Sequence, residues 1–250
     1  AITISGATVL TASDSGFDPS YCTAFKSDGI IAISNGTFTI NSLSGATGGK
    51  VFSADGEINI SGGNFTTNTA GNGGTYTNTL GVADSFSTAS FTSDTNINIS
   101  GGTFTVTNTG NDGKGISADV NVTISGTAKI GITNSGAKGK AIKADGNIQV
   151  DGGTTTINLS GATVLTASGS GFDPSYPSGL KATGTITINS GNVTVTGTSA
   201  ATGTKGISAD GNIIINGGTI NVTTAGNGAV YTNAAGTTDA GRADPHPPPQ

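Results

Sequence analysis

Residues 205–222 read Lys-Gly-Ile-Ser-Ala-Asp-Gly-Asn-Ile-Ile-Ile-Asn-Gly-Gly-Thr-Ile-Asn-Val. An apolar residue, a short residue, Ala and then Asp-Gly lead into Ile213-Ile-Ile215, Asn-Gly-Gly218 and Ile220-Asn-Val222. The same order follows Asp94, with Ile97-Asn-Ile99, Ser-Gly-Gly102 and Phe104-Thr-Val106. Apolar and polar residues alternating over a few positions form strands. Paired glycines mark a tight corner that needs positive φ.

Working outward, the anchor before the Asp recurs at Phe25-Lys-Ser-Asp28, Phe52-Ser-Ala-Asp55, Phe91-Thr-Ser-Asp94, Ile116-Ser-Ala-Asp119, Ile142-Lys-Ala-Asp145, Leu180-Lys-Ala-Thr183 and Ile207-Ser-Ala-Asp210. The steps between fourth positions are 27, 39, 25, 26, 38 and 27 residues, and the first five span 155. At that offset Ser5-Gly-Ala-Thr-Val-Leu-Thr-Ala-Ser13 returns as residues 160–168, and Tyr76-Thr-Asn78 as Tyr231-Thr-Asn233. Residues 1–95 and 156–250 are therefore two copies of one stretch, and the chain starts mid-pattern, as an excised or processed segment does.

Short strands from one such unit cannot bury an apolar face alone, but stacked units can. The expected fold is all-β, a single-stranded parallel β-helix (β-solenoid) of six to seven coils of 25–39 residues spanning residues 1–238. Coils about 4.8 Å apart give a rod on the order of 30 Å long. One inward file is expected from Phe38, Phe65, Phe104, Ile130, Ile157, Val193 and Ile220, and a second from Ile33, Ile60, Ile99, Ile124, Val150, Ile188 and Ile215. Long loops fall at about 68–90 and 160–178, and the proline-rich stretch 239–250 reads as an irregular tail.

Composition agrees. Of 250 residues 42 are Gly, 33% are hydrophobic and 10% charged, which leaves too few helix formers for a bundle. Alternation argues against disorder, and no apolar run is long enough for a membrane-spanning helix. A net charge of −5 with scattered lysines disfavours nucleic acid as a partner. Cys22 is the only cysteine, so no disulfide framework forms; a free thiol and an interchain bond both remain open.

Four features bear on function. The first is the column Asp28, Asp55, Asp94, Asp119, Asp145 and Asp210. Stacked carboxylates repel unless a cation bridges them, so Asp28, Asp55, Asp119, Asp145 and Asp210 are candidate Ca²⁺ ligands; the alternative is turn chemistry, each Asp bonding its own loop amides. The second is the twin loop containing Phe17, Asp18 and Tyr21, repeated as Phe172, Asp173 and Tyr176, with Tyr76 and Tyr231 in the glycine-rich loops. Aromatics flanked by Asp and Asn suit a sugar: the ring covers the C–H face of a pyranose and oxygens bond its hydroxyls. Alternatively, Phe17 and Phe172 fold back and seal the loops. The third is an outward Thr/Asn ladder (Thr37, Thr39 and Asn41 and their repeats), interrupted by Lys129, which reads as solvent-facing strand or as a water-ordering face. The fourth is the set Lys26, Lys143 and Lys181 on one outer column, either solvated charges or the base of a lyase. No Ser/His/Asp set, metal-spaced His or Cys, or paired Glu is present, which points away from an enzyme.

The runs Gly115-Ile-Ser-Ala-Asp119, Lys140-Ala-Ile-Lys-Ala-Asp-Gly-Asn-Ile148, residues 205–222 and Ala225-Gly-Asn-Gly-Ala-Val-Tyr-Thr-Asn233 resemble bacterial extracellular β-helical proteins described as carbohydrate-binding domain-containing, a group similar to family nine polysaccharide lyases. The resemblance implies a right-handed helix, Ca²⁺ in the rod, an extracellular or cell-surface location and binding to cellulose or pectin. The expected function is thus a secreted, non-catalytic β-helix that binds polysaccharide through Tyr21, Tyr76, Tyr176, Tyr231, Phe17, Phe172, Asp18 and Asp173. The rival is a fibre subunit that associates end to end, and the third reading is a Ca²⁺-dependent lyase.

Overall fold

In the computed structural model, which describes residues 1–228 and 230–240, no helix occurs among the described residues. A typical repeat contributes an anchor strand such as Lys50–Ala54, a short strand such as Ile58–Ile60 and a longer one such as Asn64–Thr69. The glycine corner before the third strand works as expected, with Gly102 at φ 91°.

Anchor strands pair in parallel into a 7-stranded sheet that runs from Thr23–Ser27 to Lys205–Ala209. The remaining strands of the repeats form a curled 13-stranded sheet. Its two wings are joined by the long strands Ile148–Leu159 and Ile186–Gly197, which pass through both. Register keeps equivalent residues together: Phe52 pairs with Phe91 and Phe65 with Phe104.

The two sheets share one core. Phe25, Phe52 and Phe91 stack face to face at 4.8 and 4.9 Å, and Phe38, Phe65 and Phe104 at 4.9 and 4.6 Å. The two stacks meet edge to face, as Phe52 and Phe65 do at 5.9 Å. Phe52, Phe65, Phe91 and Phe104 are buried, each contributing roughly 1.5–3 kcal/mol.

Two expected core positions differ: Ile215, in the last described repeat, is 55% exposed, and Ile157 belongs to another file. Above Ile130 the Phe38 file continues through Thr155, then Val193 and Ile220. Ile157 belongs to the neighbouring inward file with Val106, Ile132 and Val195. Both positions face inward because they are two residues apart. Register is counted from the glycine corner and not from the nearest isoleucine.

The long loops are antiparallel hairpins: Gly74–Thr77 with Ala83–Phe86, and Val164–Ser168 with Gly171–Ser175. Their counterparts are Val9–Ser13 with Gly16–Ser20, and Val230–Thr232 with Thr238–Ala240. The last strand runs into the stretch expected to be an irregular tail; residues 241–250 lie outside the described residues.

Candidate functional site

The hairpins meet in pairs. Phe17 forms a parallel bridge with Asn78, and Ser15 N–H donates to Thr79 O at 3.2 Å. The second pair repeats this through Phe172 with Asn233 and Ser170 N–H to Ala234 O at 2.9 Å. Close approach requires glycine: a Cβ on Gly16 would stand 2.0 Å from Asn78 O, and one on Gly171 2.2 Å from Asn233 O.

This docking brings Tyr21 toward Tyr76, and Tyr176 toward Tyr231. In the first pair the Phe86 ring sits between the tyrosines, 6.0 Å from Tyr21 and 6.2 Å from Tyr76. Tyr76 OH donates to Asp84 at 3.2 Å, and Tyr231 OH to Asp239 at 3.5 Å. Burial, reinforced by Tyr76, Asp84 and Asp18, pushes the Tyr21 hydroxyl up to about 12. A lysine lies over each inner tyrosine, Lys50 at 4.0 Å from the Tyr21 centroid and Lys205 at 4.4 Å from that of Tyr176.

Between Tyr176 and Tyr231 lies a cavity of about 130 Å³, also lined by Thr163, Leu165, Pro174, Thr202, Gly203 and Asn227. Pro174 and Tyr176 form a wall shared with a second depression of about 300 Å³, lined by Lys140, Lys181, Lys205, Ser175, Ser178 and Ser208. An apolar slot thus adjoins a basic one across the Tyr176 ring.

The basic side comes from sheet register. Lys50, Lys114, Lys140 and Lys205 share the first row of the 7-stranded sheet, and Lys26, Lys143 and Lys181 its fourth row. The fourth-row lysines are ion-paired: Lys26 with Asp55, Lys143 with Asp145 at 2.6 Å, and Lys181 with Asp210. Among the described residues, no first-row lysine has a carboxylate within salt-bridge distance. Lys140 instead donates to the carbonyls of Lys138, at 3.1 Å, and Tyr176. Burial lowers the Lys50 and Lys114 ammonium groups and brings Lys140 down to about 8.

The expected ligands divide accordingly. Tyr176 and Tyr231 line the cavity; Phe172, 41% exposed, lies on a hairpin that contributes to its wall, and Phe17, 40% exposed, holds the corresponding place in the first hairpin pair. Asp18 and Asp173 pair across their hairpins with Thr11 and Thr166.

The Asp column stacks one residue per repeat, as the ladder bonds from Asp94 N–H to Ala54 O and Asp145 N–H to Ala118 O show. Lysine ammonium groups pair with its carboxylates at Asp55, Asp145 and Asp210, where calcium was expected, and Lys26 also reaches Asp28 at 3.8 Å. Among the described residues no three His, Cys, Asp or Glu side chains gather closely enough for a metal. Calcium takes six to eight oxygens, and three of the five expected Asp ligands are instead ion-paired to lysine. Turn amides are capped by the asparagine two residues after the Asp: Asn96 Oδ1 accepts from Asn121 N–H at 3.2 Å, and Asn121 Oδ1 from Asn147 N–H at 2.8 Å.

Leu165, Pro174, Asn227 and the first-row lysines were not anticipated as a group. The signal for the lysines was their shared place two residues ahead of the apolar anchor residue, visible at Lys114, Lys140 and Lys205 before Ile116, Ile142 and Ile207.

Residues 1–136 and 127–228 match a family model described as carbohydrate-binding domain-containing protein. The chain belongs to that family. The family description points to carbohydrate binding and not to catalysis, and the match carries no lyase description. No curated protein and no solved structure matches the chain.

Proposed function

We propose that this protein binds an acidic, pectin-class polysaccharide at the wall formed by Tyr176, with one sugar ring in the Tyr176/Tyr231 slot and a carboxylate on the adjoining lysines. The observation that carries this reading is that the two depressions share Pro174 and Tyr176. Tyrosine faces cover the C–H face of a pyranose, Thr163, Thr202 and Asn227 offer hydroxyl partners, and Lys205 and Lys140 offer charge. Neutral cellulose would use the slot alone. The supporting scaffold is read as a right-handed parallel β-helix, placed outside the cell where polymeric sugars are met; calcium has no part in the proposal.

Retention on polygalacturonate gels and on insoluble cellulose tests it. The chain is expected to be held on polygalacturonate and released by salt. Tyr231→Ala and Lys205→Ala are each expected to weaken retention about tenfold, the effect of losing roughly 1.4 kcal/mol. Equal retention by wild type and both variants refutes the site.

A second reading, rods that stack end to end, is favoured by the last described repeat. There Ile213, Ile215 and Val222, whose equivalents elsewhere are core, are 47%, 55% and 45% exposed. Negative-stain imaging decides it: threads far longer than one chain support stacking, and isolated short rods exclude it.

A further inference from the structure

All eight residues that line the Tyr176/Tyr231 cavity have identical counterparts at the 155-residue offset: Thr8, Leu10, Pro19, Tyr21, Thr47, Gly48, Asn72 and Tyr76. The two places nevertheless differ. Phe86 stands edge-on to Tyr21, with the ring planes at 62°. It also lies so close to Gly48 that a Cβ there would be 2.8 Å from its Cδ2. The ring therefore reaches Tyr21, Tyr76 and Gly48, the counterparts of the cavity-lining Tyr176, Tyr231 and Gly203.

The sequence differs between the two copies at the residues that fill the first place. At the 155-residue offset from Phe86 the sequence has Gly241, which has no ring to offer and lies outside the described residues. A companion change goes with it. A Cβ on Gly74 would lie 2.6 Å from Phe86 Cζ, so Phe86 needs glycine there. Its equivalent is Ala229. Ring and glycine occur together in one copy, and both are replaced in the other.

We infer that the two hairpin pairs are one ring-binding site in two states, the first closed by the chain's own Phe86 and the second open, so that the rod offers one six-membered-ring site and not two. A phenyl ring and a pyranose are similar in breadth, and each presents faces that pack on tyrosine. Phe86 thus acts as an internal stand-in for the sugar. The inference rests on the proposed function only in taking a pyranose as the ligand of the open site.

Calorimetric titration with trigalacturonate counts the sites. Wild type is expected to bind one molecule per chain, Phe86→Gly two, and Tyr176→Ala none. Phe86→Gly combined with Tyr176→Ala is expected to bind one, now at Tyr21. Gly74→Ala, which leaves the ring in the chain but denies it room, is expected to raise the count as Phe86→Gly does. Two sites in wild type, or one site in both Phe86→Gly and Gly74→Ala, overturns the inference. If wild type binds no trigalacturonate, the proposed ligand is wrong, and alkaline titration of tyrosine absorbance decides the plug alone. Removing Phe86 is expected to bring the Tyr21 transition down from about 12 toward the ordinary 10.0; an unmoved transition overturns the plug.

Discussion

Thr155 stands directly above Ile130 in the file that begins with Phe38, Phe65 and Phe104. Its hydroxyl is buried and has no hydrogen-bond partner among the described residues. An unsatisfied buried hydroxyl costs about 1–3 kcal/mol. Thr155→Val keeps the shape and removes that cost. Urea unfolding is expected to show a gain of about 1 kcal/mol or more at unchanged m-value; a loss would mean that the hydroxyl is bonded in solution.

Phe65 is stacked between Phe38 and Phe104 and edge-on to Phe52 and Phe91. No side chain in such a file can move into the gap without breaking its own stack. Phe65→Ala is expected to cost about 3–5 kcal/mol, read from the same denaturant curves. Phe17→Ala, on a half-exposed hairpin, is expected to cost far less.

Asp119 is partly desolvated and lies between the like charges of Asp145 and Asp94, which raise its carboxyl above the ordinary range. The folded state therefore holds this proton more tightly than the unfolded chain does. The strain is absent at low pH, where Asp119 is protonated in both states, and stability falls as pH rises through the raised value. Asp119→Asn is expected to melt higher than wild type at pH 7 and to lose that advantage at acid pH. A constant difference across pH would exclude the electrostatic cause.

Lys140 changes charge near pH 8 because it is buried. The ligand carboxylate stays ionised above that value, so only the protein side weakens. Retention on polygalacturonate is expected to fall about fivefold between pH 7 and 9.5, the effect of losing roughly 1 kcal/mol of charge-assisted bonding. Lys140→Met is expected to bind weakly at both pH values and to show no step. Deprotonation also favours the fold, since the unfolded chain binds the proton more tightly, so wild type gains stability as pH rises from about 8 toward 10.5.

Much of the fold was legible because repetition averages out local ambiguity. One Ile-Asn-Ile triplet says little, but seven anchors followed by the same order of strand, glycine corner and strand leave one economical way to bury the apolar positions. The file containing Thr155 was misread because inward positions are two apart, and apolarity alone does not choose between them. The Asp column was legible as a column, but its partners were not. Lys26 reaches Asp55, twenty-nine residues away, only because one repeat lies beside the next.

The tyrosines of the site were readable as aromatics out of phase with the core. That Tyr176 faces Tyr231, and that Phe86 comes between Tyr21 and Tyr76, were not. Each pairing joins hairpins more than fifty residues apart, and their approach depends on room left by Gly16 and Gly171. The amino-acid sequence alone determined the strands, their corners and their order of stacking, because these follow from alternation and glycine placement within each repeat. The tertiary structure alone decided which lysines meet which carboxylates and which slot stays open. Those outcomes depend on distances between residues of different repeats, and no local pattern encodes them.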